Sequence, residues 1–175
     1  MTASLRTKKA AYSERLGRAA EDIAIVKLVT LFENCIVSQV ANNQLHDLEI
    51  RKKDSLLVDE ICRMQVKSTN SAVDKGGHQA YAVGIHHNNG SGKRANYSED
   101  DADFFLFYVF PEAKFYVVPT DAIEGRTGAL LYAGLPTPRG KGVYEGYLEA
   151  WDLIGEFLGL ANPDEKEAIE QIKIC

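Results

Sequence analysis

The stretch Cys62-Arg-Met-Gln-Val-Lys-Ser68 alternates apolar and polar residues along its whole length. A period of two is typical of a β-strand, in which successive side chains point to opposite faces of a sheet. Gln65 and Lys67 therefore share one face of the predicted strand, while Met64 and Val66 share the other. One face is expected to pack in the core, and the other holds an amide and an amine side by side.

A second alternating stretch, Asp47-Leu-Glu-Ile-Arg51, lies upstream of the first. The segment between them contains Lys53-Asp-Ser55, a polar sequence that suits a hairpin turn. An antiparallel hairpin would bring Asp47 close to the polar face that carries Gln65. Glu49 lies on the same strand face as Asp47, so it is an alternative acidic residue for a site formed there.

A long helix is predicted before both strands, from Tyr12 to Phe32, because apolar residues recur there at helical spacing. Glu21 lies on this helix, one turn after Gly17 and next to Ala20. Small residues at those two positions would let the helix approach the sheet closely. The Glu21 carboxylate would then reach the same place as Asp47.

The remaining sequence patterns predict more strands and one further helix. Apolar and β-branched runs predict strands at 35–40, 80–85, 104–110 and 114–118, and the last two form the core of the sheet. The spacing of apolar residues around Trp151 predicts a second helix from Tyr144 to Leu160. The polar, glycine-containing segment 86–103 is expected to be a long surface loop.

Length and composition bound the class of protein. The chain has 175 residues, of which 45% are hydrophobic and 26% charged, so we expect one globular domain over residues 1–175. No apolar run approaches the roughly 20 residues that a membrane-spanning helix needs, and no apolar stretch follows the charged N-terminus. The cysteines, Cys35, Cys62 and Cys175, are odd in number and lack zinc-site spacing, which favours a reducing cytoplasm.

The net charge of −5 is distributed unevenly. Residues 1–53 hold nine Lys and Arg against six Asp and Glu, whereas residues 54–175 hold eleven against nineteen. The total argues against a nucleic-acid partner. However, a site for divalent cations must itself collect carboxylates, and local basic patches matter more for phosphate contacts than the total charge does. Charge therefore leaves a nucleic-acid function open.

Three groups of residues together resemble the PD-(D/E)XK nuclease superfamily. They are Gly17-Arg-Ala-Ala-Glu21, His46-Asp-Leu48 and Met64-Gln-Val-Lys-Ser-Thr69. Gln65 stands where the usual motif has an acid, and this Gln-x-Lys version is similar to that of intron-encoded homing endonucleases of the same fold. The resemblance continues through Arg94-x-x-Tyr97-x-x-Asp100 and Phe115-Tyr-Val-Val118. It covers roughly residues 12–120, and residues 121–175 are expected to be a C-terminal helical extension.

The resemblance implies an α/β fold with a restriction-endonuclease-like core, in which helices flank a central mixed sheet. It also implies metal-dependent hydrolysis of DNA phosphodiester bonds. Asp47, Gln65, the backbone carbonyl of Val66 and Glu21 would hold Mg²⁺, with Mn²⁺ as an alternative ion. Lys67 would hydrogen-bond the attacking water and stabilise negative charge in the transition state.

The implied partner is double-stranded or branched DNA. Basic and aromatic residues in two loops are the candidate DNA contacts: Lys93, Arg94, Tyr97, Arg139 and Lys141. A homodimer or tetramer would place two active sites on a duplex, with the apolar C-terminal helix as a candidate interface.

Several functions remain open at this point. A homing-type or restriction-type endonuclease is the leading interpretation, and a Holliday-junction-resolvase-like nuclease is the second. A catalytically inactive DNA-binding module of the same fold is the alternative that Gln65 favours, because an amide replaces an acid there. A structural protein without affinity for nucleic acid would also fit the net charge.

Overall fold

The computed structural model describes residues 2–41, 44–54, 60–88, 94–98, 100–138, 140 and 142–160. Within these ranges the chain forms two α-helices and ten strands. In chain order they are α1 (Thr2–Leu31), β1 (Cys35–Gln39), β2 (Leu48–Lys52), β3 (Cys62–Thr69), β4 (Ala72–Asp74), β5 (Gln79–Gly84), β6 (His87–Asn88), β7 (Arg94–Ala95), β8 (Phe104–Val109), β9 (Lys114–Pro119), β10 (Gly128–Leu131) and α2 (Asp152–Phe157).

A mixed sheet forms the centre of the fold. Among the described residues it has five strands in the order β1-β2-β3-β8-β9. β3 and β8 run parallel, with Gln65 opposite Phe105 and Lys67 opposite Phe107, while the other neighbouring strands are antiparallel. The α/β fold class with a central mixed sheet, predicted above, is confirmed.

Both helices pack on one face of this sheet. Among the described side chains of α1, Ala20, Ala24 and Leu28 are fully buried, and they join a core built from alternate positions of β2, β3, β8 and β9. Trp151 and Ile154, at the start of α2 and within it, complete the same core. Small Ala side chains let α1 lie close to the strands, so the expectation for Ala20 holds.

Gly17 does not share the role expected for Ala20. A Cβ atom added at Gly17 would have no neighbour within 4 Å. The helix therefore does not need a glycine at that position in order to approach the sheet.

A second sheet covers the opposite face. In the described part of the chain it contains β10, β5 and β4 in that order, all antiparallel. Phe105 and Phe107 of β8 pack there against Tyr81, Val83 and Leu131. Because β8 is buried on both faces, its sequence is apolar throughout, as the prediction for 104–110 required.

An ion pair holds the start of β8 against β3. The Asp103 carboxylate accepts hydrogen bonds from the Arg63 backbone amide at 2.6 Å and from its guanidinium at 3.1 and 3.2 Å. The Asp103 amide in turn donates to the Arg63 carbonyl at 2.8 Å. This clamp lies two residues before Gln65 and fixes the parallel register at the position where the polar face of β3 begins.

The second helix is much shorter than predicted. Instead of a helix from Tyr144, the chain forms a 3₁₀ turn at Glu145–Tyr147, and α2 begins only at Asp152. Glu149 has a positive φ of 53°, which breaks the helical path. Segment 121–160 also contributes β10 to the second sheet, so it is more than a helical extension. Residues 161–175 lie outside the described residues.

Glu149 interrupts the helix because its side chain has better partners elsewhere. Its carboxylate accepts hydrogen bonds from the Phe115 amide at 2.6 Å and from the Trp151 indole at 2.9 Å, and it pairs with Lys27 at 3.4 Å. These contacts connect α1, β9 and the start of α2. Sequence spacing does not reveal the contacts with Phe115 and Lys27, since these residues are distant from Glu149 in the chain.

No helix in the described part of the chain is both long and apolar enough to cross a membrane. Cys35 and Cys62 are buried free thiols.

We predict that Glu149→Gln lowers the free energy of unfolding by about 1–2 kcal/mol at neutral pH. Burial opposes ionisation of Glu149, but the Phe115 amide, the Trp151 indole and Lys27 together hold its pKa below the usual value. A depressed pKa stabilises the fold above the unfolded pKa, about 4.3, and this stabilisation is lost as pH falls through the folded pKa. Urea titrations from pH 7 to pH 3 should therefore show the difference shrinking below about pH 4.3.

Glu156→Gln, at an exposed position of α2, is the matched control and should leave the unfolding free energy nearly unchanged at every pH. A difference between Glu149→Gln and the parent that stayed constant across this pH range would contradict the assigned role of the charge.

Candidate active site

Asp47 lies at the entry to β2 and extends the sheet with its side chain. The last residue pair between β2 and β3 joins Leu48 to Met64, and the Asp47 amide donates to the Met64 carbonyl at 2.9 Å. Beyond that point one Asp47 carboxylate oxygen accepts a hydrogen bond from the Val66 amide at 2.8 Å. The carboxylate thus takes the place of a backbone carbonyl and is held against the polar face of β3.

Gln65 connects Asp47 to the interior of the site. Its side chain is only 5% exposed, and its Nε2 donates to the Asp47 carboxylate and, at 3.1 Å, to the Val66 carbonyl. Its Oε1 accepts a hydrogen bond from the Tyr97 hydroxyl at 3.3 Å. In this arrangement the amide NH₂ faces the carboxylate. Holding a cation through Oε1, as the resemblance implies, requires the amide to rotate by half a turn.

Lys67 lies on the same face of β3 as Gln65, as the alternation predicted. Its Nζ donates to the Tyr97 hydroxyl at 3.0 Å and lies 5.2 Å from the centre of the Tyr97 ring. Burial lowers the pKa of Lys67, and the carboxylates of Asp47 and Glu21 oppose that shift. The amine is thus held on the same side of the sheet as the aspartate.

Glu21 reaches the site from α1. Its carboxylate accepts a hydrogen bond from Gln39, at the end of β1, at 2.9 Å. Burial raises the pKa of Glu21, and the neighbouring charge of Asp47 raises it further. Burial also raises the pKa of Asp47, despite the Val66 amide and Lys67, which favour its ionised form. The negative charge of Asp47 disfavours the ionised form of Glu21, and a cation bound beside them would stabilise both carboxylates.

The donor set suits a hard divalent cation. Asp47 and Glu21 offer carboxylate oxygens and Val66 a backbone carbonyl, and oxygen ligands of this kind are those that Mg²⁺ prefers. No group of three or more His, Cys, Asp or Glu side chains with metal-binding spacing occurs among the residues that the structure describes. A cation here would therefore depend on a carboxylate pair supplemented by neutral oxygens.

Glu49, the alternative acidic residue, is engaged elsewhere. Its carboxylate lies 2.9 Å from Nε2 of His46, which is 9% exposed. His46 precedes Asp47 and contributes to its electrostatic environment. The sequence does not reveal this pair, because a histidine and a glutamate three residues apart at a strand entry give no specific signal.

Tyr97 was predicted to contact DNA from a surface loop, but the structure places it inside the site. It is 7% exposed, and its ring packs edge-to-face against Phe105 and His87, with centroids 4.9 Å away in both cases. Burial raises the pKa of Tyr97, and the charge of Asp47 adds to the shift, so the hydroxyl stays protonated. It accepts a hydrogen bond from Lys67 and donates one to Gln65. The sequence pattern alone could not reveal this position, because residues 86–103 have no periodicity.

The other predicted DNA contacts are not placed by the structure. Lys93, Arg139 and Lys141 lie outside the described residues, and the side chain of Arg94 is also outside what the structure describes. The backbone of Arg94 belongs to β7, where it pairs with Asn88 of β6.

A family profile described as PD-(D/E)XK endonuclease matches residues 12–142. A solved structure of the bacterial homing endonuclease I-Ssp6803I is similar over 80% of this chain and 90% of that chain, with 26% sequence identity and a TM-score of 0.60.

A second solved structure is much less similar to this chain. A crystal structure of MepB overlaps 62% of this chain and 79% of that chain, with 15% identity and a TM-score of 0.35, which is too low to support an argument. No curated protein matches the sequence. The profile spans most of the chain and includes Glu21, Asp47, Gln65 and Lys67, so the chain belongs to the PD-(D/E)XK endonuclease family.

Proposed function

We propose that this protein is a divalent-metal-dependent endonuclease that hydrolyses DNA phosphodiester bonds, of homing or restriction type. One observation carries the proposal: Asp47, Gln65, Tyr97 and Lys67 form a continuous chain of hydrogen bonds on one face of β3. A carboxylate and an amine held together in a partly buried site are the groups that phosphodiester hydrolysis needs beside a cation.

In the proposed mechanism, Asp47, Glu21 and the Val66 carbonyl would hold Mg²⁺ or Mn²⁺, and Gln65 would join them through Oε1 once its amide has rotated by half a turn. When bound, the cation would neutralise charge on the phosphate and lower the pKa of a water molecule. Asp47 has the central place, because the Val66 amide and Gln65 both fix its carboxylate.

Lys67 orients the attacking water and donates a hydrogen bond to the negative charge that develops on the phosphate. An ammonium has three N–H groups, and the Tyr97 hydroxyl accepts one of them. Because burial lowers the pKa of Lys67, its Nζ releases a proton more readily than an exposed lysine does.

Tyr97 is a positioning residue in this proposal. Its hydroxyl holds the Lys67 amine and the Gln65 amide at once, and Phe105 and His87 fix its ring. The two polar side chains of β3 are therefore oriented by one group that comes from outside the strand.

The assembly and the cellular context follow from the same proposal. A single site cuts one strand, so a homodimer or tetramer would bring two sites to a duplex. Phe157 of α2 is 48% exposed and is a candidate for that interface. The buried free thiols of Cys35 and Cys62 suit the reducing cytoplasm.

We predict that Asp47→Asn and Lys67→Ala each reduce nicking of supercoiled plasmid in Mg²⁺ by about 100-fold or more, because each removes a group that stabilises transition-state charge. Asp121→Asn, an exposed acid in the turn after β9, is the matched control and should nick like the parent. Equal background nicking by all four proteins would favour the inactive DNA-binding module. Faster cleavage of a four-way junction than of a duplex would favour the resolvase-like alternative.

We predict that Tyr97→Phe lowers the cleavage rate at saturating DNA by about 10-fold, since it removes the hydroxyl that bonds both the Lys67 amine and the Oε1 atom of Gln65. The affinity for duplex DNA should not change. Tyr81→Phe, which removes a hydroxyl bonded to Glu112 at 2.7 Å, is the control and should keep the full rate. If Tyr97→Phe instead bound duplex DNA more weakly and kept the full cleavage rate, Tyr97 would be a DNA contact and not a positioning residue.

We predict that Mg²⁺ or Mn²⁺ raises the melting temperature of the parent protein by about 5–10 °C when the ion is present at about 100 times its dissociation constant. The cation relieves the repulsion between the Asp47 and Glu21 carboxylates. Asp47→Asn should lose this rise, and EDTA should reverse it in the parent. An equal rise in Asp47→Asn and the parent would place the binding site elsewhere.

A further inference from the structure

The first half of α1 projects from the fold. Residues 7 to 15 are all exposed, although they cover more than two helical turns, whereas Ala20, Ala24 and Leu28 in the second half are fully buried. The helix therefore packs on the sheet only from about its middle onward. Residues 7–15 place no buried apolar side chain against the core, so the hydrophobic effect does not explain the presence of this segment.

This projecting half carries a concentration of positive charge. Residues 2–20 contain five Lys and Arg and one acidic residue, a net charge of +4, while residues 21–175 contain fifteen against twenty-four, a net charge of −9. The single acid, Glu14, pairs with Arg18 at 2.7 Å on an exposed surface. Lys8, Lys9 and Arg15 are exposed cations on the same segment. This segment of an acidic protein thus has a net positive charge.

The projecting half leads directly into the candidate active site. Arg18 lies one turn before Glu21 and is close enough to favour its ionised form. On the other side, Asn70, just beyond the end of β3, donates a hydrogen bond to the Tyr12 hydroxyl at 3.1 Å. This contact ties the protruding segment to the strand that carries Lys67, so its direction relative to the site is set.

The dimensions match a stretch of duplex backbone. From Lys9 to Glu21 the helix rises by about 18 Å. Phosphates follow each other every 3.4 Å along the axis of a B-form strand, so this rise spans about five nucleotides.

We propose that Lys8, Lys9, Arg15 and Arg18 of α1 bind the phosphate backbone of duplex DNA beside the bond that is cut. This inference rests on the proposed function, since it takes the duplex as the substrate of the neighbouring site. Contacts of this kind add affinity and set the orientation of the protein on the duplex, and they do not read sequence.

The test compares two pairs of lysines, each pair consecutive in the sequence. Lys8→Gln/Lys9→Gln removes two charges from the projecting helix, and glutamine keeps a helix propensity close to that of lysine. Lys52→Gln/Lys53→Gln removes the same charge at the far end of β2, about 17 Å along the strand from Asp47. Thermal melts and circular dichroism establish that both variants are folded.

Binding to a fluorescent duplex is measured by anisotropy in EDTA over a series of salt concentrations. We expect Lys8→Gln/Lys9→Gln to bind at least about 10-fold more weakly at physiological salt, with the slope of log affinity against log salt reduced by about 1.8, or 0.9 for each lost phosphate contact. Lys52→Gln/Lys53→Gln should match the parent in affinity and slope.

Unchanged binding by Lys8→Gln/Lys9→Gln, or an equal loss in both lysine pairs, would overturn the inference. Plasmid nicking by the parent separates this result from the proposed function. If the parent nicks plasmid but its DNA affinity does not depend on Lys8 and Lys9, the inference is wrong and the proposed function stands. If the DNA affinity depends on these lysines but the parent does not nick plasmid, the inference is supported and the proposed hydrolysis is wrong.

Discussion

The carboxylate of Asp47 completes the sheet where the backbone of β2 no longer reaches β3, and the rest of the site depends on this interaction. By accepting the Val66 amide, Asp47 satisfies a donor that the strand ladder leaves open and is itself drawn beside Gln65. Hydrogen bonding that stabilises the sheet therefore also sets the geometry of the charged groups. This coupling explains why the acidic residue precedes the strand instead of lying within it.

Burial gives these groups their chemical character. Desolvation raises the pKa of Asp47 and Glu21 and lowers that of Lys67, so the charged form of each is less favoured than it would be in water. Such an arrangement costs stability unless partners compensate for it. Tyr97 supplies part of the compensation, since its hydroxyl bonds two members of the site. The Arg63–Asp103 clamp and the apolar strand β8 hold the neighbouring backbone of β3 in register.

Local sequence patterns predicted the strands in which apolar and polar residues alternate, and the helix in which apolar residues recur at regular spacing. They failed where side chains with distant partners changed the backbone. Glu149 interrupts the predicted helix, and its carboxylate bonds the Phe115 amide of β9. Tyr97 was predicted on a surface loop but is buried in the site, where its hydroxyl bonds Lys67 and Gln65. The short strands β4 and β10 were not predicted, since three or four residues contain too little periodicity to indicate a strand. Both strands form by pairing with β5.

The sequence by itself determined which residues share the polar face of β3, because a strand period of two leaves no other choice for Gln65 and Lys67. It also determined that β8 is buried on both faces, since every residue there is apolar. Only the tertiary structure decided that Asp47 bonds the Val66 amide, that Tyr97 closes the site, and that the basic half of α1 stands free of the core. These features join segments that are far apart in the chain, and their energies depend on distance and desolvation, which no local pattern encodes.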